Sequence, residues 1–154
     1  MINEGDTPKN TSLPTDGDGT FSISSYAGKT LVLFFYPKDD TPGCTTEATE
    51  FSAKQEEFRA LGAVIVGVSP DPVKKHDKFK AKHGLTVTLA SDEDHQLLNE
   101  FGVWVEKSMY GKKYMGVERS TFVIDASGKV EKVWRKVKVK GHVDAVLEHL
   151  QNDR

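Results

Sequence analysis

Two uninterrupted apolar runs, Leu31-Val32-Leu33-Phe34-Phe35-Tyr36 and Ala63-Val64-Ile65-Val66-Gly67-Val68-Ser69, limit the fold more than any other feature of the chain. A strand with one wet face alternates apolar and polar residues, whereas a run that is apolar throughout must be covered on both faces. Pro37 closes the first run, since proline has no N–H to give to a sheet ladder. Between the runs, Ala48, Phe51, Gln55 and Phe58 follow Cys44 at +4, +7, +11 and +14, which is one face of a helix, and Gly62 stands just past its end as a stop. Strand, helix and strand in that order form a right-handed parallel unit.

The remaining segments extend this unit. Thr15-Asp16-Gly17-Asp18-Gly19-Thr20 is a tight connection, and Phe21 and Ile23 alternate with Ser22 and Ser24 beyond it, so a small N-terminal β-hairpin is expected. Pro70 and Pro72 open a charged helix that runs to about His83 and closes at Gly84. Leu85 to Ala90 reads as a short strand, and Leu97, Leu98 and Phe101 mark a brief helix stopped at Gly102. Ser120 to Asp125 and Lys129 to Lys140 read as two strands around Ala126-Ser127-Gly128; Val143, Val146, Leu147 and Leu150 give a final amphipathic helix. The expectation is one α/β domain over 1–154, with a central mixed β-sheet flanked by helices on both faces.

Charge and cysteine usage narrow the function. With 21 basic against 23 acidic side chains, there is no global electrostatic case for nucleic acid or an anionic membrane. The N-terminal ten residues hold no apolar signal segment, and the longest apolar run is far short of the ~20 residues that span a bilayer, so a soluble, cytoplasmic protein is expected. The one cysteine excludes an internal disulfide and a four-cysteine metal site. Thiol chemistry in this chain therefore belongs to Cys44 alone.

Around it the sequence reads Pro37-Lys38-Asp39-Asp40-Thr41-Pro42-Gly43-Cys44. Thr41 suits an N-cap and Pro42 the first helical position, which puts Cys44 in the first turn. Unpaired N–H groups and the positive end of the helix dipole there favour a thiolate. The size of that effect decides the chemistry: a thiol of pKa ~8.5 is about 3% ionised at pH 7, and one near ~6 about 90%. The alternative is a buried, inert cysteine, the common fate of a free thiol.

Pro37-x-x-x-Thr41-x-x-Cys44 resembles the active-site signature of the peroxiredoxins, and the string Phe35 to Thr45 is similar to the bacterioferritin comigratory protein, or peroxiredoxin Q, branch. Gly67-Val68-Ser69, Tyr110-Gly111-Lys112, Tyr114-Met115-Gly116 and Arg119-Ser120-Thr121-Phe122 extend the likeness over nearly the whole chain. The resemblance implies a thioredoxin-like fold and a thiol-dependent peroxidase for hydrogen peroxide and organic hydroperoxides. Cys44 would be the peroxidatic nucleophile, with Pro37, Thr41 and Arg119 as catalytic companions and Thr41, Gly43 and Arg119 binding the peroxide. No metal, flavin or other cofactor is implied. From the residues alone, Arg119 reads as a surface ion pair, with Glu118 as one candidate partner, and Glu47 and Lys38 as solvated or capping groups.

Members of this branch carry a second, resolving cysteine either five residues after the first or in the following helix, where this chain has Thr49 and Lys80. The expectation is a monomeric one-cysteine enzyme whose sulfenic acid is resolved by an external thiol: thioredoxin, glutaredoxin, glutathione or another small thiol. A peroxide sensor that relays oxidation to a partner and a non-catalytic thioredoxin-like binding domain are the competing readings. Other signals are set aside. His76 and His83, and His142 and His149, are read as solvated rather than metal-binding. Asp16-Gly17-Asp18-Gly19 begins like a calcium loop but has Ala27 at the twelfth position, so it is a turn. The lysines between Lys129 and Lys140 guard a strand edge, and Phe34, Phe35, Tyr36 and Trp104 are core or pocket wall.

Overall fold

The computed structural model describes residues 1–153; Arg154, the last residue of the expected domain, lies outside them. The two apolar runs become β3 (Thr30–Phe35) and β4 (Ala63–Ser69), paired in parallel with Thr30 opposite Ala63 and Phe35 opposite Val68. Residues of β3 alternate between two cores: Val32 and Phe34, with Tyr36 just beyond the strand, face one cluster, and Leu31, Leu33 and Phe35 the other. This two-sided burial is what an all-apolar strand requires.

The first core is closed by α1 (Pro42–Ala60), α2 (Val73–His83) and α4 (His142–Asn152), through Ala48, Phe51, Phe58, Phe79, Val143, Val146, Leu147 and Leu150. The second core holds α3 (Gln96–Glu100) together with Leu13 and Phe21 from the N-terminal hairpin, β1 (Ser12–Thr15) and β2 (Gly19–Ser22). With β5 (Thr88–Ser91), β8 (Ser120–Ile124) and β9 (Val130–Trp134), the seven-stranded sheet has the order β2-β1-β5-β4-β3-β8-β9. β3, β4 and β5 are parallel; β1 and β8 join them antiparallel, so the sheet is mixed as expected.

Three expectations need correction. The strand expected from Leu85 to Ala90 begins only at Thr88, because the Thr86 backbone is held by α1: its N–H donates to Ser52 Oγ at 3.0 Å. The strand expected to reach Lys140 stops at Trp134, which pairs with Thr121 near the start of β8 and has no ladder to continue along. Lys136 then turns through φ 49°, and the Val137 N–H donates to the Arg119 carbonyl at 2.9 Å. A separate hairpin, β6 (Trp104–Met109) and β7 (Lys112–Val117), was not expected at all. Its strands are largely exposed and lack clean alternation, and its turn is Tyr110-Gly111, both with positive φ, rather than an asparagine–glycine or aspartate–glycine pair.

Gly67 allows close packing in the centre of the sheet. It lies opposite Phe34, and a Cβ there would stand 2.5 Å from the Phe34 ring, itself stacked at 4.7 Å on Phe51. Gly67→Ala should therefore lose about 1–3 kcal/mol to overpacking, read as a lower urea midpoint with an unchanged slope; a midpoint equal to wild type would show that the Phe34 ring moves freely aside.

Candidate active site

Sheet topology assembles the site. β3 delivers the chain at its C-terminal end into the loop from Pro37 to Thr41 and then into α1. β8 runs antiparallel to β3 with Ser120 opposite Phe35, so Arg119, the residue just before β8, arrives at the same edge of the sheet. Residues 75 apart in sequence thereby meet: Arg119 Nη2 donates to Cys44 Sγ at 3.2 Å.

The start of α1 follows the expected pattern with one correction. Thr41 is the N-cap residue by its extended backbone, Pro42 opens the helix and Cys44 lies in its first turn. The Thr45 N–H donates to the Thr41 carbonyl at 2.8 Å, so the N–H groups of Gly43 and Cys44 precede the first intrahelical bond. The Thr41 hydroxyl, however, makes no cap; it donates back to the Lys38 carbonyl at 2.8 Å and ties the loop closed. Gly43 lets the guanidinium lie close, since a Cβ there would meet Arg119 Nη2 at 3.3 Å. Pro37 is half-buried at the start of the loop, and Lys38 beside it is exposed as expected. Cys44 is 1% exposed, among apolar neighbours that include Tyr36 and Phe51.

Arg119 does not pair with Glu118. Its second nitrogen, Nη1, donates to Glu47 Oε1 at 2.7 Å, so the planar fork spans a thiol and a carboxylate. Glu47, expected to be solvated, is 0% exposed, and its Oε2 has no hydrogen-bond partner. Burial pushes its carboxyl from 4.5 up to about 7, and the Arg119 charge offsets only part of that rise. A sequence signal existed: residues 44, 47, 48 and 51 follow the i, i+3, i+4, i+7 spacing of a buried helical face, and Glu47 occupies one of those positions. A second residue without a sequence signal is Lys107 on β6. Burial and the Arg119 charge lower its pKa, while Glu118 and Cys44 act in the opposite sense, which places its ammonium within electrostatic reach of the site.

The histidines also depart from expectation. His76 is 0% exposed and hydrogen-bonded through both ring nitrogens, to Asp39 Oδ2 at 2.6 Å and the Ala90 carbonyl at 3.0 Å. His142 is buried at the start of α4 with Nε2 2.7 Å from Thr121 Oγ1; burial, then the Arg119 charge, lowers its pKa to about 4. His83 and His149 are part-exposed and paired with Asp40 and Glu131. Thr49 is exposed on α1, and Lys80 bonds Asp16 at 2.7 Å, so neither position replaces a thiol. The Asp16 turn also takes the Leu89 N–H and serves as a structural tie. The combined site is a buried sulfur facing a permanent cation and free backbone donors, an arrangement suited to holding an anionic nucleophile and charge that develops beside it.

The chain is similar to known proteins over most of its length. The AhpC/TSA family profile matches residues 5–133. Peroxiredoxin Bcp of Bacillus subtilis is 54% identical over 140 residues, covering 91% of this chain and 89% of its own. Peroxiredoxin Bcp of Escherichia coli is 39% identical over 150 residues, covering 97% and 96%. Among solved structures, a Xylella fastidiosa PrxQ mutant superposes with a TM-score of 0.95 at 43% identity, over 99% of this chain and 98% of its own. The Xanthomonas campestris bacterioferritin comigratory protein, solved in connection with its alkyl peroxide reduction activity, gives 0.89 at 49% identity over 93% and 91%.

Glu47 makes a pH-dependent contribution of defined sign. Its folded carboxyl titrates near 7 and its unfolded one near 4.5, so between those values the folded state binds more protons and stability falls as pH rises. The full drop is on the order of 3 kcal/mol. Glu47→Gln should flatten the difference in urea stability between pH 5 and pH 8; an unchanged difference would mean that Glu47 ionises normally in the fold.

Proposed function

The chain belongs to the AhpC/TSA family and is a peroxiredoxin, a thiol-dependent peroxidase, and on that premise we propose that Cys44 is its peroxidatic nucleophile, with Arg119, Thr41, Pro37 and Gly43 forming the peroxide site. The contact between Arg119 Nη2 and Cys44 Sγ, 3.2 Å, is the observation that carries the reading. A permanent cation against the sulfur favours the thiolate and remains to polarise the peroxide. The thiolate attacks one peroxide oxygen and the O–O bond breaks. The second oxygen leaves as hydroxide or alkoxide and takes up a proton to become water or alcohol, while Cys44 becomes a sulfenic acid. Negative charge grows on the departing oxygen, where the Arg119 guanidinium and the N–H groups of Gly43 and Cys44 are ready to meet it. Pro37 shields the thiolate without offering it an N–H. Glu47 acts through Arg119, fixing the plane of the fork.

With one cysteine in the chain, the sulfenic acid closes no internal disulfide. An external thiol attacks the Cys44 sulfur, water leaves, and a second thiol releases reduced Cys44 from the mixed disulfide. The proposal extends, on the strength of the branch resemblance, to one domain over 1–154 acting as a cytoplasmic monomer; among the described residues no helix is long and apolar enough to cross a membrane.

The test is peroxide consumption with a panel of thiols beside three variants. Cys44→Ser should consume none. Arg119→Ala should stay folded and lose about 10²-fold in rate, and Arg119→Lys should recover little, since an ammonium does not reproduce the two-pronged fork. Intact-mass spectrometry after peroxide alone should show one added oxygen, replaced by an adduct when glutathione is supplied. Consumption surviving in Cys44→Ser, or no thiol restoring the reduced chain, would overturn the assignment; about one equivalent consumed per chain with every thiol would favour a sensor.

A further inference from the structure

Beneath the active-site loop lies a buried polar cluster that the reaction at Cys44 does not itself use. His76, on α2, has its two ring nitrogens 2.6 Å from Asp39 Oδ2 and 3.0 Å from the Ala90 carbonyl oxygen. A carbonyl oxygen only accepts, so Nε2 carries a proton. Asp39 Oδ1 takes the Tyr36 hydroxyl proton at 2.6 Å, and Oδ2 is left to take the second imidazole proton from Nδ1. The ring is thus an imidazolium that donates twice. Without its charge, the Asp39 carboxylate would be buried with no cation against it, a costly state.

Asp39 sits in the centre of the loop between Pro37 and Thr41, and its own N–H donates to Asp71 Oδ2 at 2.7 Å. Asp71 also takes the Ser69 hydroxyl at 2.7 Å, and its carbonyl takes that of Ser91 at 2.6 Å. The next residue, Asp40, is held at φ 61°, a left-handed conformation uncommon outside glycine, so the loop's path depends on what grips it. Its side chain reaches Lys82 and His83 on α2 at 2.7 and 2.8 Å, but in more exposed surroundings where such pairs contribute little. The buried grip is therefore the Asp39–His76 pair.

We propose that His76, acting through Asp39, is a positioning residue for the peroxide reaction: its doubly donating imidazolium fixes the loop that sets Pro37 and Thr41 around Cys44. The inference rests on Cys44 being the nucleophile. The titratable and charged groups facing the imidazole are Tyr36 just past the end of β3, Asp39 from the loop and Asp71 from the β4–α2 connection, with Lys75 of α2 4.0 Å beyond Asp71; β5 supplies only the Ala90 carbonyl. Burial lowers the pKa of His76, but the hydrogen bond and charge of Asp39 outweigh it and the net shift is upward. The grip is thus complete below the ordinary histidine value of 6.5 and loosens as pH rises through the higher folded value.

The experiment measures the peroxide rate constant of reduced protein from about pH 6 to about pH 9 and divides it by the thiolate fraction read from absorbance, while nitrogen NMR follows the His76 ring. His76 should show two N–H protons at pH 6. The rate per thiolate should hold level while both protons remain and fall severalfold where one is lost. Asp39→Asn and His76→Gln should each lower the rate per thiolate about tenfold, a loss of the size that a small misplacement near a reacting centre produces, and should abolish its pH step. Leu13→Ala, in the core on the other face of the sheet, should lower the melting temperature and leave the rate alone. A singly protonated His76 at pH 6, a level rate across its titration, or wild-type rates in either variant would overturn the proposal. The first two need no variant to fold. Loss of all peroxide reaction in the wild type would instead overturn the reading of Cys44.

Discussion

A single guanidinium, shared between a thiol and a carboxylate, is the interaction on which the rest of this structure depends. Arg119 gives one nitrogen to Cys44 Sγ at 3.2 Å and the other to Glu47 Oε1 at 2.7 Å, and its side chain is only 15% exposed. Holding a cation, a carboxyl and a thiol out of water is costly, and a buried ion pair is often no more stabilising than apolar residues of the same volume. Burial accordingly raises the Glu47 carboxyl to about 7 even beside the Arg119 charge. The arrangement is therefore better understood as a device for aim than for stability. The carboxylate holds the planar fork in one orientation, and the other prong can point only at the sulfur.

The mixed sheet is what makes that aim possible. In a purely parallel sheet every strand would begin at the edge remote from Cys44, and the residue before a strand would be out of reach. Because β8 is antiparallel to β3, with Ser120 opposite Phe35, its first residues stand where β3 ends. Arg119 is then tethered by its backbone: its carbonyl takes the Val137 N–H at 2.9 Å, and the neighbouring Glu118 N–H donates to Val103 at 2.7 Å. Side-chain direction follows from this register, and the rigid base of β3 and β4 is covered on both faces by separate cores.

Legibility in the sequence tracked how local each cause is. The strands β3 and β4, the helices and the placing of Cys44 in the first turn of α1 were readable because each follows from periodicity, a proline or a glycine within a few residues. The motif likewise brought Arg119 into view, but its partner was mistaken: Glu118 is adjacent in sequence, whereas Glu47 is adjacent only once α1 packs on the sheet. The same limit hid His76, whose partners Asp39 and Ala90 lie 37 and 14 positions away. It also hid the β6–β7 hairpin, whose strands form a separate two-stranded sheet and reach the second core at Trp104 and Val117, the ends of the hairpin remote from its turn. The Thr41 hydroxyl departs from the expected cap for a different reason. A capping bond and a bond back to the Lys38 carbonyl are both available to a threonine at that position, and only the loop's actual path selects one.

Burial of Cys44 places opposite demands on the two halves of the cycle. A peroxide is a few atoms across and needs only a narrow approach to a sulfur that is 1% exposed. An external thiol carries its own chain and must line up its sulfur with the oxidised one for displacement. Arg119 is held by Glu47 and by the backbone bonds around it, while the loop beneath is gripped by Asp39 and His76. The first turn of α1 is held by the Thr45 N–H, which donates to the Thr41 carbonyl at 2.8 Å, and by the Thr46 hydroxyl, which donates to the Pro42 carbonyl at 3.0 Å. Access for the reductant therefore requires part of this enclosure to yield, and the groups that hold their place remain set for the next peroxide.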